Sequence, residues 1–354
     1  MTASKTIAVI EGDDSAPEAV RCTVDFLSSL GLDLDWTYPI VGEDAIQETG
    51  SAFPATTKKQ IDEADTCLFG ATSGSSGAAL NYLRWGKETY ANVRPCIYFP
   101  GCKSPLANPE GIDFAIVREN LEDLYVAVEG DLEELDFLTR TGRTNRKQTK
   151  DLGEGKYAIK AITRKGTERI VRFAFELARK RSSQSKVTCV TKHNMLRQTD
   201  GFFLEIASDL SQEYEDIEFE SYIVDDFACR LIRTPQAFDV IVMPNLYGDI
   251  LSDAAGGLLG SLGLAASGVY GEDYAYFEPA HGTAPDIQGL NIINPTATLL
   301  SASMMLEYLD LPKVSNRIMQ AIRSTYLDGR YLTPDQGGSS TTSEFMSAIA
   351  DHMP

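Results

Sequence analysis

Residues 238–262 read FDVIVMPNLYGDILSDAAGGLLGSL. The first six are apolar except for Asp239, the pattern of a buried strand, and Pro244 breaks the run before a helical stretch begins. A buried strand feeding a helix is the repeating unit of an α/β protein, and it decides the fold class. Asp249 and Asp253, four residues apart at the start of that helix, project from one face and can share a hard cation. Asp225, in the segment YIVDD, offers a third oxygen ligand. One acid in such a place would simply complement the helix dipole. Two acids directly after a buried strand, where open α/β sheets build their sites, point to metal binding.

Outward from this stretch the same pattern recurs. Residues 6–10 read as a buried strand, followed by an acidic turn and a helix that starts at Pro17. Residues 64–71, ADTCLFGA, form another apolar run, and the next stretch, TSGSSGAA, reads as a loop. Residues 112–117 and 187–191 are further strands; residues 164–181, 294–309 and 343–352 have helical character. Residues 130–155 are polar, charged and poorly periodic, which suggests either a flexible loop or, preferred here, an arm that becomes ordered against another subunit. No internal repeat or low-complexity tract is present.

At 354 residues the chain exceeds the usual size of one core, so two lobes with a cleft are expected, each burying its own apolar surface. A net charge of -19 repels phosphate polymers and anionic membranes, which excludes nucleic acid as a natural partner. The six cysteines contain no CxxC pair and read as reduced core thiols. No window holds the roughly 18 apolar residues of a membrane span, and a cytoplasmic location is expected.

Against so acidic a background, clustered basic residues are informative. Arg84, Arg94 and Arg118 could converge on a di- or tricarboxylate, since each guanidinium matches a carboxylate bidentately; surface solvation is the competing role. Lys192 and Asn194 follow the strand VTCVT, so alternate residues can point into a cleft; Lys192 could act as a base or be a solvated strand end. Tyr125 could donate a proton or simply pack. In HGTAPDIQG, from His281, backbone N–H groups can approach a phosphate and Asp286 can accept from ribose hydroxyls, unless the segment is a plain turn. There is no GxGxxG or P-loop pattern.

Taken in order, these segments resemble the isocitrate/isopropylmalate/homoisocitrate dehydrogenase family. The matching stretches are YANVRP from Tyr90, VREN from Val117, YAIKAITRKGTERIVRFAFELA from Tyr157 and the pair Lys192 and Asn194. NLYGDILSDAAGGLLGSLGLA from Asn245, FEPAHGTAPDIQG from Phe277 and NPTATLLSASMMLEYL from Asn294 complete the set. The resemblance implies an α/β fold of two lobes around a central mixed sheet, distinct from a Rossmann fold. Residues 1–100 plus 255–354 would form a large, cofactor-binding lobe, and residues 101–254 a small lobe with the arm and the metal and catalytic residues. It also implies a homodimer or larger oligomer whose sites are shared, with Lys192 and Asp225 serving the neighbouring subunit.

The implied reaction is the NAD-dependent, Mg²⁺- or Mn²⁺-dependent oxidative decarboxylation of a 3-carboxy-2-hydroxy acid. Arg84, Arg94 and Arg118 would bind its carboxylates, Asp225, Asp249 and Asp253 the metal, while Lys192 removes the hydroxyl proton and Tyr125 protonates the enol. The implied cofactor set is Thr72, Asn194, Glu278, His281, Gly282, Thr283, Ala284, Asp286, Ile287 and Asn294. Asp286 and Ile287 would lie beside the adenosine ribose, where NADP-dependent relatives tend to have Lys and Tyr, so NAD is expected.

Substrate choice would depend on SSGAALNYLR, where isocitrate-specific relatives carry a Ser and an Asn. Here Ala78 and Leu80 occupy those places, or Asn81 if one residue is gapped. LFGATS and the LYV after VREN look more like homoisocitrate dehydrogenases, so a homoisocitrate-like substrate is expected, with 3-isopropylmalate, isocitrate and tartrate as alternatives. The chain departs from the family at its opening turn, GDDSAPE in place of a GDGIGPE-like run, and at Leu121 and Asp123. A non-catalytic regulatory subunit is the rival of another class; retention of Lys192, Tyr125 and all three acids argues against it.

Overall fold

The computed structural model describes residues 4–354. Its strands are β1 Lys5–Ile10, β2 Leu34–Thr37, β3 Thr66–Phe69, β4 Ala91–Ile97, β5 Asp113–Glu119 and β6 Glu129–Asp131. They continue with β7 Lys156–Ala158, β8 Lys186–Thr191, β9 Glu218–Ile223, β10 Val240–Met243, β11 Ala266–Tyr270 and β12 Ala275–Pro279. Ten strands make one sheet in the order β2-β1-β3-β12-β11-β4-β5-β10-β8-β9, and β6 pairs with β7 in a separate antiparallel ribbon.

The strands β2, β1, β3 and β12 pair in parallel, and so do β5, β10, β8 and β9. Between the two blocks the contacts β12–β11, β11–β4 and β4–β5 are antiparallel. An odd number of reversals makes the blocks run in opposite senses, so their carboxyl ends lie on opposite edges of the sheet. In β4 and β5, alternation sends Arg94, Cys96, Phe114, Ile116 and Arg118 to one face and Val93, Ala115 and Val117 to the other. The Asn245–Leu258 helix covers the first face, and the Arg164–Arg181 helix covers the second.

The Arg164–Arg181 helix has the bounds the periodicity predicts. The Thr163 hydroxyl accepts from Gly166 N–H at its start, and Arg179, Lys180 and Arg181 complement the dipole at its end. One expectation is corrected. The loop read at 72–79 stops early: Gly77–Asn81 is helical and passes into a π-turn at Tyr82–Gly86, because Ala79 and Leu83 are drawn into the core. Each half has a buried cluster of its own, one around Ile170, Cys189 and Val242 and one around Ile10, Phe69 and Tyr276, while a third cluster joins Ile7, Leu68 and Phe277 to Ile116, Phe227 and Ile241. The sheet is continuous through β4–β5, and the core on this face is continuous with it.

Residues 130–155 are ordered within the chain, with short helical turns at Leu132–Leu135 and Thr149–Asp151 beside the β6–β7 ribbon. Phe137 there is 74% exposed, the highest value among the large exposed hydrophobic residues described. Among the described residues no helix is long and apolar enough to cross a membrane.

Candidate active site

Gly248 lets the helix after β10 approach β5 closely, for a Cβ there would lie 2.6 Å from Arg118 Cβ. That approach seats Asp249 on the Arg118 guanidinium, with which it forms an ion pair, while Arg118 Nε donates to Asn245 Oδ1 at 2.8 Å. Arg94, on the neighbouring strand, donates to Ser252 Oγ at 2.7 Å and Asp253 Oδ1 at 2.8 Å. The Tyr125 hydroxyl donates to Asp249 Oδ2 at 2.5 Å, and its ring centroid lies 4.9 Å from the Arg118 guanidinium carbon. Arg84, on the π-turn, lies against Tyr276 and Glu278 of β12. Six expected residues from five elements therefore meet: Arg84, Arg94, Arg118, Tyr125, Asp249 and Asp253.

The charges tune one another. Burial, then repulsion from Arg94, lowers Arg118 to about 10, which still leaves it a cation at neutral pH. Burial works to raise Asp249, but Arg118, Tyr125 and Arg94 outweigh it and hold the carboxyl below its usual range. Asp253 is raised, first by burial and then by the charge of Asp249, with Arg94 opposing. Two neighbouring carboxylates, one of them electrostatically unfavourable, are a hard-oxygen donor pair that suits a divalent cation. Burial first, then the bond to Asp249, raises Tyr125 and keeps it a proton donor. Glu278 is raised by burial despite the three arginines facing it. The Nε groups of Arg84 and Arg94 are buried without a hydrogen-bond partner among the described residues, so the cationic pocket has unused donors.

Lys192 and Asp225 form an ion pair of their own at the ends of β8 and β9. None of the described ion pairs or hydrogen bonds joins them to the arginine cluster. Asp225 is thus apart from Asp249 and Asp253, and among the described residues no group of three or more His, Cys, Asp or Glu could hold a metal. Asn194 is exposed, and its carbonyl accepts from Arg143 at 3.3 Å. Leu80 packs on the cluster that contains Ala79, Leu83 and Tyr276, whereas Asn81 is exposed.

The segment from His281 folds beside the opening turn. The Ser15 hydroxyl donates to the Thr283 carbonyl at 2.5 Å, and Glu18 accepts from Gly289 N–H at 2.6 Å. Gly282, Ala284 and Asp286 are exposed, and Asp286 and Ile287 sit on a helical turn at Pro285–Ile287. His281 is lowered by burial, against Gly282, Asp335 and Asp253, and its Nε2 has no partner among the described residues. Asn294 is used structurally, donating to Tyr326 OH at 3.1 Å and to Asp335 at 3.0 Å.

Asp13 has a role the sequence reading missed. Its carboxylate accepts from the hydroxyls of Thr72, Ser75 and Ser76 and from Ser73 N–H, at 2.6 to 2.9 Å, tying the opening turn to the loop after β3. Partial burial opposes its charge, but these donors prevail and bring it down to about 2. Asp14 adopts φ of 55°, the left-handed conformation a glycine would take in the family's opening turn. The turn, with Tyr38, Ser73 and Gln288, lines a cavity of about 860 Å³, within the range of small-molecule sites. The hydroxyls of Thr72, Ser73, Ser75 and Ser76 and the acids of the opening turn were the available signal.

Residues 6–349 match the family model described as isocitrate/isopropylmalate dehydrogenase. The chain belongs to the isocitrate/isopropylmalate dehydrogenase family. It is 40% identical, over 97% of both chains, to 3-isopropylmalate/3-methylmalate dehydrogenase of Methanocaldococcus jannaschii. It is 38% identical, over 98% of its length and 97% of the relative, to homoisocitrate dehydrogenase of the same organism. The crystal structure of isocitrate dehydrogenase from Methylococcus capsulatus superposes with a TM-score of 0.84 over 99% of both chains, at 36% identity. The chain is accordingly an enzyme, a decarboxylating hydroxy-acid dehydrogenase, of a family that uses NAD(P) and Mg²⁺ or Mn²⁺.

Proposed function

We propose that this dehydrogenase couples reduction of NAD to oxidation and decarboxylation of a malate carrying a substituent on its third carbon, in sites shared by two copies of the chain. The observation that carries the reading is the packing of Arg84, Arg94 and Arg118 with Tyr125, Asp249 and Asp253. Guanidiniums suit the carboxylates of such an acid, the paired carboxylates suit a divalent cation, and the phenol has a proton to give.

Asp249 and Asp253, with Asp225 of a second copy, would hold Mg²⁺ or Mn²⁺. Bound, the cation would polarise the substrate's hydroxyl and later keto oxygen, and NAD would accept the hydride. The arginines orient the acid, Lys192 of the second copy takes the hydroxyl proton, and Tyr125 returns a proton to the third carbon after CO₂ has left. The separation of Lys192 and Asp225 from the arginine cluster within one chain supports sharing, and so do the exposed apolar residues Phe137, Val128 and Ile159 on or beside the ribbon. The division of the sheet supports lobes at 1–100 plus 255–354 and at 101–254, since β5, β10, β8 and β9 form one contiguous block.

NAD rather than NADP is supported by Asp286, an exposed carboxylate that accepts from two free hydroxyls and repels a 2′-phosphate. His281, Gly282, Thr283, Ala284 and Ile287 would line the same ligand, with Thr72, Glu278 and Asn194 towards the nicotinamide. Six free cysteines fit a reducing compartment such as the cytoplasm. For the third-carbon substituent, LFGATS and LYV favour homoisocitrate. Leu80, half-buried in an apolar cluster four residues before Arg84, favours an alkyl group as in 3-isopropylmalate. NADH formation with homoisocitrate, 3-isopropylmalate, 3-methylmalate, isocitrate, malate and tartrate, with CO₂ measured alongside, tests the reading. One substrate yielding equal NADH and CO₂ is expected; hydride transfer without CO₂ would contradict it.

A further inference from the structure

Lys160 has no part in the chemistry above, yet its ammonium pairs with two buried carboxylates, each bonded to the backbone beside one of the two separate groups of the site. It pairs with Asp123 Oδ1 at 3.2 Å and Asp200 Oδ2 at 2.9 Å, and both carboxylates are 0% exposed. It also stands 4.5 Å from the centroid of the Tyr247 ring. The second oxygen of Asp123 accepts from Leu246 N–H at 3.0 Å, in the first turn of the helix that carries Asp249 and Asp253. Tyr125 lies two residues beyond Asp123. The second oxygen of Asp200 accepts from the backbone N–H of Lys192 at 2.8 Å. Asp123 is held at φ of 67°, its backbone paired in both directions with Ala161, the neighbour of Lys160.

A cation between two buried anions fixes their separation, because either carboxylate leaving it would become an uncompensated buried charge. We propose that Lys160 is a positioning residue that locks the Lys192 loop to the Tyr125–Asp249 cluster. One ion triad then sets both the chain's own site and the site it completes in a second copy. The proposal rests on the shared-site reading, and its test includes a measurement independent of turnover.

The full-length protein is compared with its Lys160→Gln and Lys160→Arg variants by steady-state kinetics and by amide hydrogen exchange. In Lys160→Gln, kcat is expected to fall about 100-fold while KM for the acid and for NAD each change less than about threefold. Lys160→Arg should recover about tenfold of that loss, and exchange should quicken together in the segments holding Lys192 and Leu246. A folded Lys160→Gln protein with wild-type kcat, or a loss confined to KM, overturns the proposal. So does faster exchange in one of the two segments without the other. Should Lys160→Gln not fold, Lys160→Arg decides: lowered kcat with both segments loosened supports the triad, and wild-type values in both overturn it. A wild-type protein inert on every substrate would refute the assigned reaction, and the exchange comparison alone would then decide whether Lys160 couples the segments.

Discussion

Arg118 is buried, and its charge is balanced by Asp249, so neither can be removed without stranding the other. The Lys192–Asp225 pair is different, with side chains 29% and 69% exposed, and such a pair adds little to stability. Lys192→Ala is therefore expected to lower kcat by about 10²–10⁴ without moving the melting temperature, and Tyr125→Phe likewise. Thermal melts beside kinetics check both; retained turnover in either variant would contradict its role in proton transfer. Asp286→Ala should raise kcat/KM for NADP relative to NAD, and an unchanged ratio would remove the carboxylate from cofactor choice. Arg118, Asp249 and Asp253 were legible as candidates from residue type and short spacing, whereas the roles expected of Lys192, Tyr125 and Asp286 came with the family resemblance. Asp13, Ser15 and Lys160 were not legible, because each acts on partners 37 to 268 positions away.

At the scale of the element, the helix after β10 is the part most closely dictated by its own sequence. Gly248→Ala would drive a methyl into Arg118, an overpacking that typically costs about 1–3 kcal/mol, and would push Asp249 and Asp253 out of place. A lowered melting temperature with a disproportionate loss of turnover is expected, measurable on one preparation. The loop after β3 depends on Asp13, whose carboxyl is brought down from its ordinary value of 3.8 to about 2 in the fold. Because the folded value is the lower, its stabilisation is complete above about pH 4 and disappears as pH falls through 2. Denaturant melts of wild type and Asp13→Asn should differ most at neutral pH and converge at the acid end; a constant gap would contradict this origin. The apolar strands β1, β3, β5, β8 and β10 were evident as short apolar runs. The strands β4, β11 and β12 were not singled out. β4 carries Asn92, Arg94 and Pro95 and β11 carries Ser267 and Gly268, because the middle of the sheet is where the site and its neighbours are built.

For the whole molecule, the order of strands within one parallel block, β5-β10-β8-β9, sets the two groups of site residues apart along one edge of the sheet. The carboxyl end of β5 and the helix after β10 bring the arginines, acids and Tyr125 together, while the ends of β8 and β9 carry Lys192 and Asp225 to a separate place. One of the two four-stranded blocks comes wholly from residues 101–254; the apolar cluster that joins both blocks was not legible, since it depends on which helices cross β4–β5. Sharing of sites is the central claim, and mixing two inactive variants tests it most directly. Lys192→Ala subunits and Tyr125→Phe subunits, unfolded together and reassembled in equal amounts, should regain about a quarter of wild-type activity, because half the dimers are mixed and each has one intact site. Reassembled mixtures that remain as inactive as the separate variants would contradict it.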